Sequence, residues 1–355
     1  MLSLLLAFSN SYAQGELPEP ELTAFTQGWA TIYDQDESLQ ADPAGYGDPE
    51  DDPGFKLRRV RLGIKGKNDF IKYSLSVGQS SPYDTILQVG NANLGLVDAF
   101  MGFQPTKGLW INMGTQKVPV SREQIMSSVN LVFTDRAIPS VWLVPNREVG
   151  LVADYKTKSE GLKVRATAGV FNGNQSLNGD NNNGKMLAGR LELKSGNANV
   201  YKTYGKVDSP TFAVAGDFYH NTDLATTVLG YGADVIFRAS GIAFLAEYRV
   251  QNLEPTNDDV AIPMVFSSTN RMGIITQMGY TLNRYEFAVR YSMFDDNTEA
   301  SQKDAGDVSG LMAGLSWHGK DDGYMLGGGY QVRLESDPNA VLSNDTLRLW
   351  FQMNY

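Results

Sequence analysis

Most of the 355-residue chain is built from one repeated unit: about ten to fourteen residues that alternate apolar and polar, followed by a turn. The end of the chain, "LRLWFQMNY", is representative. Leu347, Leu349, Phe351, Met353 and Tyr355 fall on one face of an extended strand, and Arg348, Trp350, Gln352 and Asn354 on the other. Side chains alternate across a strand, so a strict period of two gives one greasy face and one polar face. Sixteen such segments are readable, near 22–33, 55–66, 69–80, 94–104, 108–117, 146–157, 161–172, 184–195, 210–220, 226–238, 241–252, 270–282, 284–294, 307–318, 323–335 and 344–355. The stretch "NANVYKTYGKV" at 198–208 reads as an extended turn rather than a further strand.

The connections sort by length. "GKND" at 66–69, "PTKG" at 105–108, "KSEG" at 158–161, "RASG" at 238–241, "LNR" at 282–284 and "GKDDG" at 319–323 are short. Those at 34–54, 81–93, 118–145, 173–183, 253–269, 295–306 and 336–343 are longer, while 221–225 and 196–209 depart from the pattern. Short turns at one end and long loops at the other define an all-β fold of the transmembrane antiparallel β-barrel type, with about 16 strands. Strands of ~11 residues rise ~36 Å, and a ~40° tilt reduces this to ~27 Å, the height of a barrel's apolar band.

The two faces agree with that reading. Leu162, Val164, Ala166, Ala168 and Val170 share one face, as do Ile242, Phe244, Ala246, Tyr248 and Val250, and Tyr285, Phe287, Val289, Tyr291 and Met293. The alternate faces carry Lys163, Arg165, Glu247, Arg249, Glu286 and Arg290. A soluble core would not take charges on every strand, because buried charge is costly unless paired. A water-filled lumen takes them readily.

Composition removes several alternatives. No apolar run after the N-terminus is long enough for a transmembrane helix. Cysteine is absent, which excludes thiol nucleophiles, disulfides and Cys-ligated metal. His220 and His318 are the only imidazoles and lie near strand ends, away from any serine-nucleophile motif, so neither a catalytic residue nor a metal site nor a cofactor is expected. The net charge of −10 argues against nucleic acid as a partner. The start, "MLSLLLAFSNSYAQ", reads as a secretory signal at 1–13, with an apolar core Leu2–Phe8 and small residues Ser11 and Ala13 before Gln14. Residues 14–355 then form a single barrel domain.

Parity places fifteen basic and nine acidic strand residues inward. The basic wall includes Arg59, Arg61, Lys65, Lys163, Arg165, Arg190, Arg249, Arg271 and Arg290, and the acids include Asp98, Asp154, Asp217, Asp234 and Glu335. A basic lumen inside a low-dielectric shell concentrates anions. The negative charge collects in the long loops, with Asp34, Asp36, Glu37, Asp42, Asp48, Glu50, Asp51 and Asp52 in the first alone. These acids are solvated surface or, as an alternative, a site for divalent cations alongside lipopolysaccharide.

The third long loop, "VPVSREQIMSSVNLVFTDRAIPSVWLVP" at 118–145, is too apolar to stand in solvent. Ser121-x-x-Gln124 is a capping-box pattern, so a short helix near 122–128 is expected. Such a loop is expected to fold into the lumen and narrow it. Lys117, Arg122, Arg136 and Arg147 would then line the constriction, with Glu123, Asp135 and Glu148 opposite.

The same region resembles the phosphate-selective porin family. The residues that carry the resemblance are Gly114, Lys117, Pro119, Ser121, Glu123, the pair Ser127 and Ser128, Phe133, Asp135, Arg136, Arg147 and Gly150, together with the basic strand "FKLRRVRLGIKGK" at 55–67. The resemblance implies a sixteen-stranded, usually trimeric channel in the outer membrane of a Gram-negative bacterium, in contact with outer-membrane lipid and lipopolysaccharide. It implies passive diffusion of small hydrophilic or anionic solutes. The alternative is a channel with a binding site for phosphate, another oxyanion or a small sugar or acid.

Overall fold

A computed structural model describes residues 17–33, 54–79, 85–89, 92–157, 161–177, 179–180, 183–224, 226–256, 268–300, 307–334 and 345–355. The signal segment 1–13, the acidic loop 34–53 and Glu335 lie outside the described residues.

The strands are Glu21–Tyr33 (β1), Gly54–Lys67 (β2), Ile71–Gly78 (β3), Thr85–Val89 (β4), Ala92–Thr106 (β5), Leu109–Lys117 (β6), Arg147–Lys156 (β7), Lys163–Phe171 (β8) and Met186–Ser195 (β9). They continue with Thr211–Thr222 (β10), Thr226–Ala239 (β11), Ile242–Pro255 (β12), Thr269–Leu282 (β13), Tyr285–Asp295 (β14), Val308–His318 (β15), Tyr324–Leu334 (β16) and Thr346–Asn354 (β17). All seventeen belong to one antiparallel sheet. β4 is only a hairpin arm on the start of β5, and β3 pairs directly with β5. That leaves sixteen staves, and β1 pairs with β17 to close them into a barrel. Closure leaves no open edge among the sixteen described staves, the condition for a sheet to cross a bilayer.

Alternation decides which face is which. Leu347, Leu349, Phe351 and Met353 are exposed outside, whereas Arg348, Trp350 and Gln352 are buried within. The same holds for Phe287 and Val289 outside against Glu286 and Arg290 inside. So large an exposed apolar surface does not suit a protein in water; it suits lipid. Tyr248, Tyr280, Tyr285, Tyr324 and Tyr330 are exposed on the outer wall, many of them near strand ends, as interfacial girdles require.

Two features depart from simple alternation. In β2 the pairing with β1 steps from Gln27–Arg59 to Gly28–Leu57, so Arg58 is an extra residue in a β-bulge. Single parity puts Arg59 and Arg61 inside and Lys56 and Arg58 outside. The bulge reverses the phase: Lys56 pairs opposite the buried Trp29, and Arg58 stacks over that same ring at 5.2 Å. The second departure is inside. The lumen is not simply wet, because many inward charges, such as Arg122, Arg190, Arg249, Asp217 and Asp234, are dry and paired.

Candidate permeation pathway

Lys117 ends β6 and Arg147 begins β7; between them 118–146 folds against inward-facing side chains of much of the wall. Ser121 caps the short helix Arg122–Ile125 (α1), its Oγ accepting from the Gln124 amide at 3.2 Å. The wall supplies a second cap. The Ser121 amide donates to Asp217 of β10 at 3.0 Å, the Ser121 hydroxyl donates to Glu247 of β12 at 2.6 Å, and the Glu123 amide donates to Glu247 at 2.6 Å. Unpaired amides at a helix start attract carboxylates, and here two strand acids meet that demand. At the other end of α1, Lys117 Nζ donates to the carbonyls of Gln124, Ile125 and Met126 at 2.6–3.0 Å, and Arg136 donates to those of Glu123 and Met126.

Apolar contacts complete the seating. Val118, Val120, Leu143 and Val144 cluster with Val152, Phe171, Tyr219 and Phe294. Val132 and Phe133 cluster with Trp29, Met312, Met325 and Trp350, and Met126 and Leu131 with Ala213, Ile236 and Leu245. The turn Ile138–Trp142 (α2) reaches β13 at Gly273, where a Cβ would lie 2.5 Å from that of Pro139. Trp110, Trp142 and Trp350 lie in separate surroundings: Lys67 and Lys72 stand over Trp110, Trp142 meets Phe294 edge-on, and Trp350 belongs to the Phe133 cluster.

The buried charges are anchors. Arg122 is fully buried, bonded to Asp234 at 2.6 Å, Glu192 at 2.8 Å and the Val200 carbonyl at 3.2 Å. It therefore does not face open lumen, contrary to its expected place on a constriction. Arg190 pairs with Asp217 and Asp234 at 2.6 Å, and Arg249 with Asp217. Asp135 takes Arg59 at 2.9 Å and Arg58 at 3.4 Å. Burial pushes the Asp135 carboxyl up, but Arg58 and Arg59 outweigh it and hold it well below the usual carboxylate range. Arg290 donates to the Asp135 carbonyl at 2.8 Å and lies 3.7 Å from Glu123, which accepts from the Ala137 amide. Glu148 is turned to the long-loop end, accepting from the Gly173 and Gln175 amides. At the opposite rim Lys65 is exposed and pairs with Glu21, and Lys163 bonds Asn197. Arg271 sits on the inward face of β13, half-buried.

A second insert comes from the short-turn end. Residues 196–210, between β9 and β10, form no strand, in keeping with the extended turn expected there. They fold inward instead. The Thr203 amide donates to the Asn130 carbonyl at 3.0 Å, and the Tyr204 hydroxyl to the Val129 carbonyl at 2.8 Å. Arg238 holds the carbonyls of Asn199, Tyr204 and Gly205 at 2.5–2.9 Å. Lys202 pairs with Asp322, and His318 stacks on Tyr204. Nothing in the alternation signals this inward fold; the only hint is a long connection on the short side.

One cavity runs along β2, β3 and β5–β9, and a second lies against the 196–210 insert, beside Arg238, Arg284, His318 and Asp322. Arg61, Lys72, Lys117, Arg147, Arg165 and Arg190 line the first, against Asp98 and Asp154. Arg147 grips Asp98 at 2.9 Å and Arg165 grips Asp154 at 2.8 Å. Asp217, Asp234, Glu247, Glu192 and Glu123 are all absent from this lining, being spent on the anchors. Of the expected site residues, the structure thus brings Arg61, Lys117, Arg147, Arg165 and Arg190 together on one cavity. Lys72, Asp98 and Asp154 join them there.

A closed sixteen-stave barrel with a lipid-facing apolar exterior, a charged interior and an inserted loop defines an outer-membrane porin. Residues 36–222 match the family described as phosphate-selective porin O and P, and the chain belongs to that family. It is an outer-membrane channel protein. The fold is shared with OmpF of Salmonella typhi, solved with daunomycin (TM-score 0.63, 11% identity, 95% of this chain and 98% of that one). It is shared also with an anion-selective porin from Comamonas acidovorans (0.60, 10%, 95% and 99%). OmpT of Vibrio cholerae is a third similar structure (0.58, 11%, 96% and 99%). No curated protein matches the chain significantly.

Proposed function

We propose that this porin passes small hydrophilic solutes by passive diffusion with a preference for anions, and that solutes cross through the cavity beside residues 118–146. One observation carries the reading: six basic side chains against two acidic ones line that cavity. In a narrow water-filled passage walled by low-dielectric protein, an excess of fixed positive charge raises the local anion concentration and repels cations. An anion-selective porin shares the fold, which is in keeping with this preference. In this reading Lys117, Arg147, Asp135 and Arg136 belong to the constriction, the first two as lining and the others as struts of the loop. The chain acts as a channel and not as an enzyme, and it assembles as a homotrimer in contact with outer-membrane lipid and lipopolysaccharide.

The test is reversal potential and single-channel conductance in a planar bilayer under a KCl gradient. Stepwise openings with chloride preference are expected, in groups of three for a trimer. Potassium preference would overturn the anion reading. A second reading, an oxyanion binding site, is favoured by the convergence of Arg61, Lys72 and Arg147 on one cavity. Saturable block of chloride current by inorganic phosphate would establish it, and a linear response would dismiss it.

A further inference from the structure

The insert 196–210 from the short-turn end, the periplasmic side of such a barrel, meets Arg165 of the cavity wall through Tyr201. Its hydroxyl accepts from Arg165 Nη1 at 3.1 Å and donates to Glu192 Oε2 at 2.8 Å. Two guanidinium groups stand over its ring, Arg122 at 5.2 Å and Arg165 at 5.6 Å from the centroid. A backbone turn fixes it in place, the Tyr201 amide donating to Asn199 Oδ1 at 2.8 Å. Asn199 is in turn held through its carbonyl by Arg238 at 2.7 Å.

Arg165 lines the passage; Glu192 does not. These two residues are directly opposed in the β8–β9 register, so without an intermediary they would pair with each other. Tyr201 stands between them. It adds a neutral donor to a Glu192 that Arg122 also holds, at 2.8 Å, and it holds the third arm of a guanidinium whose other two nitrogens are on Asp154 at 2.8 and 3.1 Å.

We propose that Tyr201 is a selectivity-positioning residue: carried on the periplasmic insert, it keeps Glu192 out of the permeation path and Arg165 aimed into it. The inference rests on the cavity beside 118–146 being the path. The insert is thereby part of the selectivity device rather than a passive plug.

The experiment is reversal potential under a KCl gradient for wild type, Tyr201→Phe, Arg165→Ala and the double variant. Heat-modifiable gel migration serves as the folding control. Tyr201→Phe keeps the ring and removes the hydroxyl. The chloride-to-potassium permeability ratio is expected to fall about twofold, with single-channel conductance little changed. In the Arg165→Ala background the same substitution is expected to have a smaller effect, because only its hold on Glu192 is left to lose. Arg165→Lys keeps the charge but cannot bridge Asp154 and Tyr201 together, so it carries the same test if Tyr201→Phe does not fold. A wild-type ratio in either folded variant, or equal shifts in both backgrounds, overturns the proposal. A wild type that prefers potassium overturns the anion reading instead, and the shift relative to wild type still decides the role of Tyr201.

Discussion

At the scale of single residues the interior is held by ions that cannot lose a partner cheaply. Arg122 has no contact with solvent and neutralises Asp234 and Glu192. Removing one member of a buried pair strands the others, which costs about 3–5 kcal/mol. Arg122→Ala is therefore expected to lower the urea midpoint of the detergent-folded barrel by that equivalent. A surface change such as Lys65→Ala should leave it almost unmoved, since the Lys65–Glu21 pair is exposed. Asp322 supplies a pH-dependent tie. His318 and Lys202 pull its carboxyl from 3.8 down to about 2. A folded value below the unfolded one means the tie is fully present above about pH 4 and is lost as pH falls through 2. Wild type should exceed Asp322→Asn in thermal midpoint at pH 5–7, and the two should converge towards pH 2.

At the scale of elements, the strands were legible and the inserts only partly so. Alternation is a local property, and each predicted strand lies within a few residues of an observed one because lipid outside and charge inside leave no freedom of phase. The bulge at Arg58 was not legible: apolar Phe55, Leu57, Leu62 and Ile64 are exposed on both sides of the phase change, and nothing in "KLRRVR" marks which residue is extra. For 118–146 the sequence supplied the helix, through Ser121 and Gln124, but not its partners. Asp217, Asp234 and Glu247 lie on three other strands, and their meeting with Ser121 and Arg122 is a property of barrel closure. The loop's seat at Gly273 can be tested directly. Gly273→Val would drive a side chain into Pro139 and Leu143, where Cβ distances are already 2.5 and 2.8 Å. Displacing α2 shifts the segment 118–146, whose Pro119, Ile125 and Ser127 line the cavity, so single-channel conductance should fall, by about half if the segment moves by a side-chain radius. An unchanged conductance in a folded channel would mean that the segment is not beside the path.

At the scale of the whole molecule, the sign of the lumen comes from how charge is partitioned. Counting inward residues by parity gave a modest basic excess, but the count treats all inward charges as equal. The fold does not: five acids, Glu123, Glu192, Asp217, Asp234 and Glu247, are withdrawn into the contacts that hold 118–146, while Arg61, Lys72, Arg147 and Arg165 stay on the cavity. The effective charge of the path is thus more positive than the wall as a whole. Such a field acts through water and is screened by salt. The Debye length falls from about 10 Å at 0.1 M to about 3 Å at 1 M. Chloride preference should accordingly be strongest in dilute KCl and decline as concentration rises, whereas selectivity set by pore size alone would not change. Arg61→Glu with Arg147→Glu turns six basic and two acidic lining residues into four and four. That variant should lose most of the preference at 0.1 M and match wild type near 1 M. A variant that keeps the wild-type reversal potential at both concentrations would show that the path does not run through this cavity.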